Sequence, residues 1–420
     1  MHTFSPAKSW ILGLQEYRKP LLHLHTQFNE EIPYDTIDMD FMNENQAAHG
    51  DREYGHIVSR MKIERKVIVG FWDDKVVQER IASWMRTAIG VIESSHIRVM
   101  RIADNMRNVA VTEGDKVEAQ IKFGWEVDAY PVNEIAESVA AVSQSDTNAL
   151  VDEYYDKYEI LLEGRDPEEF KKHVAVQAQI ELGFERFLQE KNYQAIVTHF
   201  GDLGALKQLP GLAIQRLMEK GYGFGAEGDW KVAAMTAIMK SMGDNGNGCS
   251  LFMEDYTYNL VPGAEYSLGA HMLEVCPCCA AEKPRIETHP LGIGMNEKDP
   301  ARLVFEGKAG PAIVVSLIDM GGRLRLICQD IECVKPILPM PNLPVARVMW
   351  KALPSLATGV ECWITAGGAH HTVLSYDVTA EQMHDWANMM GIEFVHIGKD
   401  TTPESLEHDL FLADLAWKLK

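Results

Sequence analysis

The sequence predicts an α/β protein with two parallel-sheet domains of the Rossmann or flavodoxin-like type, followed by a β-rich, barrel-like part. Three observations carry this expectation. Short apolar runs alternate with amphipathic stretches in RKVIVGFWDD, KVVQERIASWMRTAIGVIE and HIRVMRIADN, and strand, helix, strand in that order implies parallel pairing. A second unit follows, with helices in NALVDEYYDKYEIL and HVAVQAQIELGFERFLQEK leading to a strand in NYQAIVTHF. After about residue 247 the pattern shifts to short alternating segments between Gly and Pro turns, which reads as β structure.

In chain order, Val67, Ile68 and Val69 form a buried-strand run, and Val76, Val77, Ile81, Trp84, Ile89 and Ile92 recur at helical spacing. Beyond residue 247 the strands are expected in SLFMEDYTYNL, ARLVFEGKAGPAIVVSLID, RLRLICQDIECV and ECWITAGGAHHTVLS. Two helices close the chain. Thr379 and Gln382 stand in capping-box spacing at the start of one, which Gly391 ends, and Thr402 precedes Pro403 at the start of the other.

Composition limits the partners. The chain has 420 residues, 46% of them hydrophobic, and a net charge of −21. Such acidity, without clustered Lys or Arg, argues against nucleic acid or an anionic membrane and favours a neutral small molecule. No apolar run approaches the roughly 18 residues of a membrane span, and no signal-peptide pattern opens the chain, so a cytoplasmic protein is expected. Seven cysteines without regular spacing point to free thiols in a reducing compartment. Cys276, Cys278 and Cys279 in EVCPCCAAE lack the second close pair of a zinc site and read as incidental or redox-sensitive. GYGFGAEG departs from the G-x-G-x-x-G spacing of a dinucleotide loop.

Two carboxylates and a set of imidazoles stand in unusual positions. Glu227, in GYGFGAEGDW, precedes a helix starting near Asp229 or Trp230, where its plain role is a helix-start anion. Strand alternation puts Glu254 on a face with Phe252, Tyr256 and Tyr258, and an unpaired charge among aromatics is costly. Asp255 then falls on the other face. Alternation also groups His271 with Gly269, Leu273 and Val275, where it reads as a hydrogen-bonded core residue or a ligand. His370 and His371 follow a Gly-Gly turn at the mouth of a strand, so at most one of them should join a given site. Together these residues point to one metal centre built from distant strands, and mixed carboxylate and imidazole ligation suits Mn²⁺ or a related divalent ion.

The strings MHTFSPAKSWI, NQAAHGDREYG, DNMRNVAVTEGDKVEAQIKFGW, LKQLPGLAIQRLMEKGYGFGAEGDWK, FMEDYTY, GAHMLEVCP, HPLGIG, DPARLVF and TAGGAHHTV resemble the bacterial L-arabinose isomerase family along the whole chain. The resemblance implies an aldose–ketose isomerase converting L-arabinose to L-ribulose, with D-galactose to D-tagatose as a second activity. It also implies one Mn²⁺ per subunit, held by Glu227, Glu254, His271 and His371, with Glu227 and Glu254 as the acid/base pair. His370, Phe4, Met106 and Phe200 match sugar-contacting positions, as do Gln46 and His49, which the family supplies from a neighbouring subunit of a hexamer. The implied organisation is an N-terminal α/β domain to residue 97, a central α/β domain over 98–246 and a C-terminal β-rich domain over 247–420. Family members carry roughly 80 residues ahead of the point where this chain begins, so the first domain is expected to be truncated, with edges exposed.

Moving a carbonyl from C1 to C2 takes a proton from C2 and returns it to C1, which suits one shuttling carboxylate beside a Lewis acid. Activity is expected to fall below about pH 6, where imidazole ligands protonate. The alternatives are a related isomerase acting on L-fucose, and a non-catalytic sugar- or metal-binding remnant. A metal-dependent hydrolase is disfavoured because no phosphate-binding basic residues accompany the set.

Overall fold

The computed structural model describes residues 6–243, 246–293 and 299–419. It is a mixed α/β chain with two parallel sheets, a small mixed sheet and one large mixed sheet. Among the described residues no helix is long and apolar enough to cross a membrane.

Strands β1 (Leu22–His25) and β2 (Lys66–Val69) pair in parallel. Of the three residues expected to be buried at β2, one is. Ile68 is buried, whereas Val67 and Val69 are 43% and 61% exposed, because successive side chains face opposite ways and only one face of this two-stranded sheet is covered. The helix Lys75–Ser94 follows, capped by Asp74, whose carboxylate accepts the Val76 N–H at 2.8 Å. It packs on the helices Trp230–Ser241 and Ala380–Met390 yet leaves Val76, Ile89 and Ile92 exposed. The next strand, β3 (Arg98–Ile102), does not pair with β2 as the strand-helix-strand reading implied. The helix instead carries the chain from one sheet to another.

Four strands form the second parallel sheet. With β4 (Glu126–Tyr130), β5 (Glu159–Ile160), β6 (Ala195–Val197) and β7 (Gly223–Gly225) named in chain order, the sheet runs β4-β3-β6-β7 and omits β5. All its pairings are parallel. The expected helix before β6 spans Pro167–Lys191, with Asp166 capping it and Pro167 at its first position. In open parallel sheets, ligands bind beyond the carboxyl ends of the strands. Met106 and Glu227 lie in the loops that leave β3 and β7 at that end.

The remaining strands are β8 (Ser250–Asn259), β9 (Tyr266–Ala270), β10 (Arg285–Thr288), β11 (Ala301–Val304), β12 (Gly310–Asp319), β13 (Leu324–Val334), β14 (Arg347–Ala352), β15 (His371–Ser375) and β16 (Glu393–Ile397). The small sheet joins β10 antiparallel to β11 and parallel to β5, tying the middle of the chain to its last third. The large sheet runs β12-β15-β8-β9-β14-β13-β16, and β12 also pairs with β13. That extra pairing closes six strands into a ring with β16 alongside.

Part of the segment read as strand in ECWITAGGAHHTVLS is helical. The helix Leu356–Ala366 starts at Ser355, whose Oγ accepts the Thr358 N–H, and stops at Gly367 in the left-handed conformation. Its buried Leu356, Gly359, Cys362, Trp363 and Ala366 recur at helical spacing, a period the alternation reading passed over. The two closing helices start as expected, with Thr379 and Gln382 in a capping box and Thr402 before Pro403.

Candidate metal centre

Glu227 sits where β7 gives way to a buried helix. A Cβ on Gly225 would lie 2.1 Å from the Asp229 carbonyl oxygen, so only glycine lets the turn fold this closely. Glu227 itself has φ +55° and Gly228 φ +87°. A left-handed non-glycine residue costs about 1–2 kcal/mol, and neighbouring loops hold this one in place. The Met106 N–H donates to the Glu227 carbonyl at 2.9 Å, and the Gly228 N–H donates to the Thr198 carbonyl at 3.1 Å. The helix-start anion is therefore Asp229, whose buried carboxylate accepts the Val232 N–H, while Glu227 is turned out of that role.

Three further residues come from neighbouring strands. Glu254 of β8 is the direct cross-strand partner of His371 at the start of β15, and on its other side it pairs with Ala270, the last residue of β9. His271 is the next residue. It lies beyond the strand end, so the alternation used to group it with Leu273 and Val275 does not apply. Glu254, His271 and His371 each bring a ligand atom within 4.8 Å of the others, and Glu227, His370 and His371 form a second such group. His371 belongs to both. His371 Nε2 lies 3.8 Å from Glu227 Oε2, and His271 Nε2 lies 3.9 Å from Glu254 Oε2. His370 Nε2 also reaches Glu227 Oε2, at 3.4 Å. His370 precedes the strand, so the rule that only one of the pair joins a site does not bind it. Phe252 forms a wall, its ring 4.9 Å from His271 and 5.1 Å from His371 between centroids.

The face predicted for Glu254 needs one correction. The β8–β9 register slips between Asp255 and Thr257, a bulge that leaves Tyr256 unpaired. Beyond the bulge the alternation is out of phase, so Tyr258 turns away from Glu254 and donates its hydroxyl to Asp255 Oδ2 at 2.6 Å.

Electrostatics separate the groups. The hydrogen bond from His370 holds the Glu227 carboxyl below its ordinary range against the opposing effect of burial, whereas burial pushes Glu254 up. Burial pulls His371 down, toward the neutral imidazole that ligates metals. Burial acts on His271 in the same sense but is outweighed by Glu274, and the net effect is upward. Two carboxylates to which the sequence assigned no place at the site explain the histidine orientations. Glu274 Oε2 lies 2.5 Å from His271 Nδ1, and Asp229 Oδ2 lies 3.4 Å from His371 Nδ1. Each imidazole thus has a carboxylate on Nδ1 and presents Nε2 to the site, the arrangement that fixes metal-binding histidines. The signals were present: Glu274 follows His271 by three residues, and Asp229 stands at a helix cap.

A divalent cation fits these residues. His371 is buried, with Asp229 beside its Nδ1, and its Nε2 makes no hydrogen bond within the protein, a costly state for a polar atom that a metal would relieve.

The other predicted residues are spread more widely. Met106 is half-buried and bonded to the Glu227 backbone. Phe200 opens the short turn Phe200–Asp202 after β6 and packs on the core. Gln46 and His49 lie at the start of the helix Ala47–Arg60, on different elements from the four candidate ligands. Phe4 falls outside the described residues. Cys276, Cys278 and Cys279 are free thiols around the turn Pro277–Cys279.

Comparison with known proteins places the chain first in a class, the aldose–ketose isomerases. Residues 1–96, 98–245 and 249–393 match models of the N-terminal, central and C-terminal domains of L-arabinose isomerase. The chain is 57% identical over 418 residues to the L-arabinose isomerase of Geobacillus thermodenitrificans, 58% over 420 residues to L-arabinose isomerase 1 of Bacillus licheniformis, and 55% over 420 residues to the L-arabinose isomerase of Bacillus subtilis. Each comparison covers 100% of this chain and 84% of the relative. The chain belongs to the L-arabinose isomerase family. The N-terminal domain model is matched from residue 1, so the match gives no support to a truncated first domain.

Proposed function

We propose that this protein converts L-arabinose to L-ribulose at the cluster formed by Glu227, Glu254, His271 and His371. The observation that carries this reading is that Glu254 of β8 and His271 just past β9 gather around His371 of β15, which also meets Glu227 from the loop after β7. The names of its relatives support the substrate.

Glu227, Glu254, His271 and His371 would hold the metal, and their mixed carboxylate and imidazole chemistry favours Mn²⁺. When bound, the ion supplies the Lewis-acid charge that an aldose–ketose rearrangement requires. The protein's own groups move the proton. Glu227, which the contact with His370 keeps ionised, is suited to take the proton from C2 and return it to C1, with Glu254 as the second member of the acid/base pair. Glu274 and Asp229 hold His271 and His371 in place. His370 stands beside Glu227 on the half-exposed side, where a sugar hydroxyl can reach it, and Met106 and Phe200 border the same end of the parallel sheet. D-galactose to D-tagatose is the second activity in this reading.

The reading extends to domains at 1–97, 98–246 and 247–420, a cytoplasmic location and a hexamer in which Phe4, Gln46 and His49 reach sugar, the latter two from the neighbouring subunit. The seven free cysteines support a reducing compartment. The open apolar face at Val67, Val69 and Trp72 supports assembly. The test is Mn²⁺-dependent ketose formation from L-arabinose, D-galactose and L-fucose by the 420-residue chain, beside Glu227→Ala. Turnover of L-arabinose that Glu227→Ala abolishes is expected. Absence of turnover on all three sugars, or faster turnover of L-fucose, would overturn the reading.

A further inference from the structure

The ring closed by β12 and β13 has an interior, and the strand register shows which side chains enter it. Paired residues share a face, so the chain of partners can be followed around the ring. Gln329 of β13 faces Val314 of β12, Val314 faces Leu374 of β15, and Thr372, two residues before Leu374, faces Met253 of β8. Asp255 follows Met253 by two, Tyr258 beyond the bulge faces Ser267 of β9, Ser267 faces Trp350 of β14, and Ala352 faces Ile331 on the same side of β13 as Gln329. The circuit closes on one face. Lys351 and Glu332 on the opposite face are exposed, so the closed face is the interior. A Cβ on Gly269 would lie 1.9 Å from the Trp350 ring, which places that indole across the lumen.

The lumen is not filled. A cavity of about 180 Å³ lies at the end where β15 begins, lined by side chains of all six ring strands and roofed by Val360, Trp363 and Ile364 of the helix Leu356–Ala366. The cavity opens to solvent at the barrel mouth, where Ile364 is 70% exposed, and has room for on the order of six waters. Its lining combines the rings of Trp350 and Trp363 with the Asp255 carboxylate, the Tyr258 hydroxyl, the Gln329 amide and the Ser267 hydroxyl. His370 also borders it and on its other side reaches Glu227. The bulge at Tyr256 brings Asp255 and Tyr258 to the same side, since residues three apart on a regular strand would face opposite ways.

We propose that the mouth of this barrel is a second binding site, separate from the metal centre, for a small neutral polyol of four or five carbons. Aromatic faces with a few convergent hydrogen-bonding groups are the chemistry of a small-molecule pocket, and here those groups match hydroxyls. No Lys or Arg lines the cavity, which excludes an anion. The Asp255 carboxylate is engaged by Tyr258, which disfavours an organic cation. The inference does not depend on which sugar the metal centre turns over.

The test is equilibrium binding of xylitol to the Mn²⁺-loaded protein and to the same protein stripped with EDTA, followed by calorimetry and tryptophan fluorescence. One xylitol per chain should bind without metal. Val314→Phe, which fills the lumen, and Gln329→Leu, which removes an amide, should each weaken this binding by about tenfold or more, while Mn²⁺-dependent turnover stays within about twofold of the parent. Retained turnover also reports a folded variant. Absence of metal-independent binding, unchanged affinity in both variants, or binding of tetramethylammonium in preference to xylitol would overturn the proposal. Xylitol binding without any turnover of L-arabinose would instead sink the isomerase reading and leave this one standing.

Discussion

Glu254 and His371 face each other directly across the antiparallel pair β8 and β15, although 117 positions separate them in the sequence. Their cross-strand geometry, with Cβ atoms about 5 Å apart, is set by the ladder itself. The pair is thus as rigid as the sheet, and Glu227 is brought to it by a strained turn on a different sheet.

Removing the Glu254 carboxylate should therefore abolish chemistry without disturbing the fold. Glu254→Gln keeps the shape and is expected to lower kcat by about 100-fold or more, with an unchanged circular dichroism spectrum. Turnover within tenfold of the parent would show that Glu254 is not in the acid/base pair.

The orienting carboxylates should act on metal affinity. Glu274→Gln and Asp229→Asn each leave an imidazole less firmly held, and outer partners of this kind are worth about 10–100-fold in affinity. Mn²⁺ titration of the variants measures this directly. Asp229→Asn should also lower the melting temperature, because Asp229 caps the helix Trp230–Ser241.

Gly228→Ala tests the turn. The added Cβ would lie 2.4 Å from the Asn105 Cα, at a φ of +87° that disfavours any side chain. A loss of about 2 kcal/mol or more in denaturant unfolding is expected, with loss of activity as Glu227 shifts. Parental stability would mean that the loop relaxes freely.

A pH-dependent contact joins β2 to the helix Ala380–Met390. Lys66 Nζ lies 2.6 Å from Glu381 Oε1 and 2.9 Å from Asp385 Oδ2. The hydrogen bond from Lys66 lowers the Glu381 pKa, so its contribution is complete above the ordinary value of 4.5 and is lost as pH falls through the lower folded value. Burial raises Asp385, which acts in the opposite sense and gains stability as it protonates. Melting curves of the parent and Lys66→Met should therefore differ at pH 6 and converge below pH 4.5. A constant difference down to pH 3 would show that the ion pair is not responsible.

Much of the fold could be read locally. The capping box at Thr379, the stop at Gly391 and the start at Thr402 need only neighbouring residues, and they fall where expected. The errors arose where local pattern meets distant partners. Val67 and Val69 read as buried, but burial depends on a second layer that does not cover that face of β2. ECWITA read as strand because β-branched and aromatic residues favour strands in context, although Leu356, Gly359, Cys362, Trp363 and Ala366 recur at helical spacing. Tyr258 was placed with Glu254 because a bulge depends on the register of two strands and leaves no mark in one.

The sequence by itself determined the residue types of the candidate site, Glu227, Glu254, His271, His370 and His371, because acids and imidazoles in apolar or glycine-rich surroundings stand out wherever they fold. Family resemblance then supplied the sugar. Only the tertiary structure decided that Asp229 rather than Glu227 caps the helix, that Glu274 and Asp229 hold the two imidazoles, and that six strands close around a lumen beside His370. Each depends on pairings between residues far apart in the chain, and hydrogen-bond register and backbone clearance at such pairings are properties of the assembled sheet.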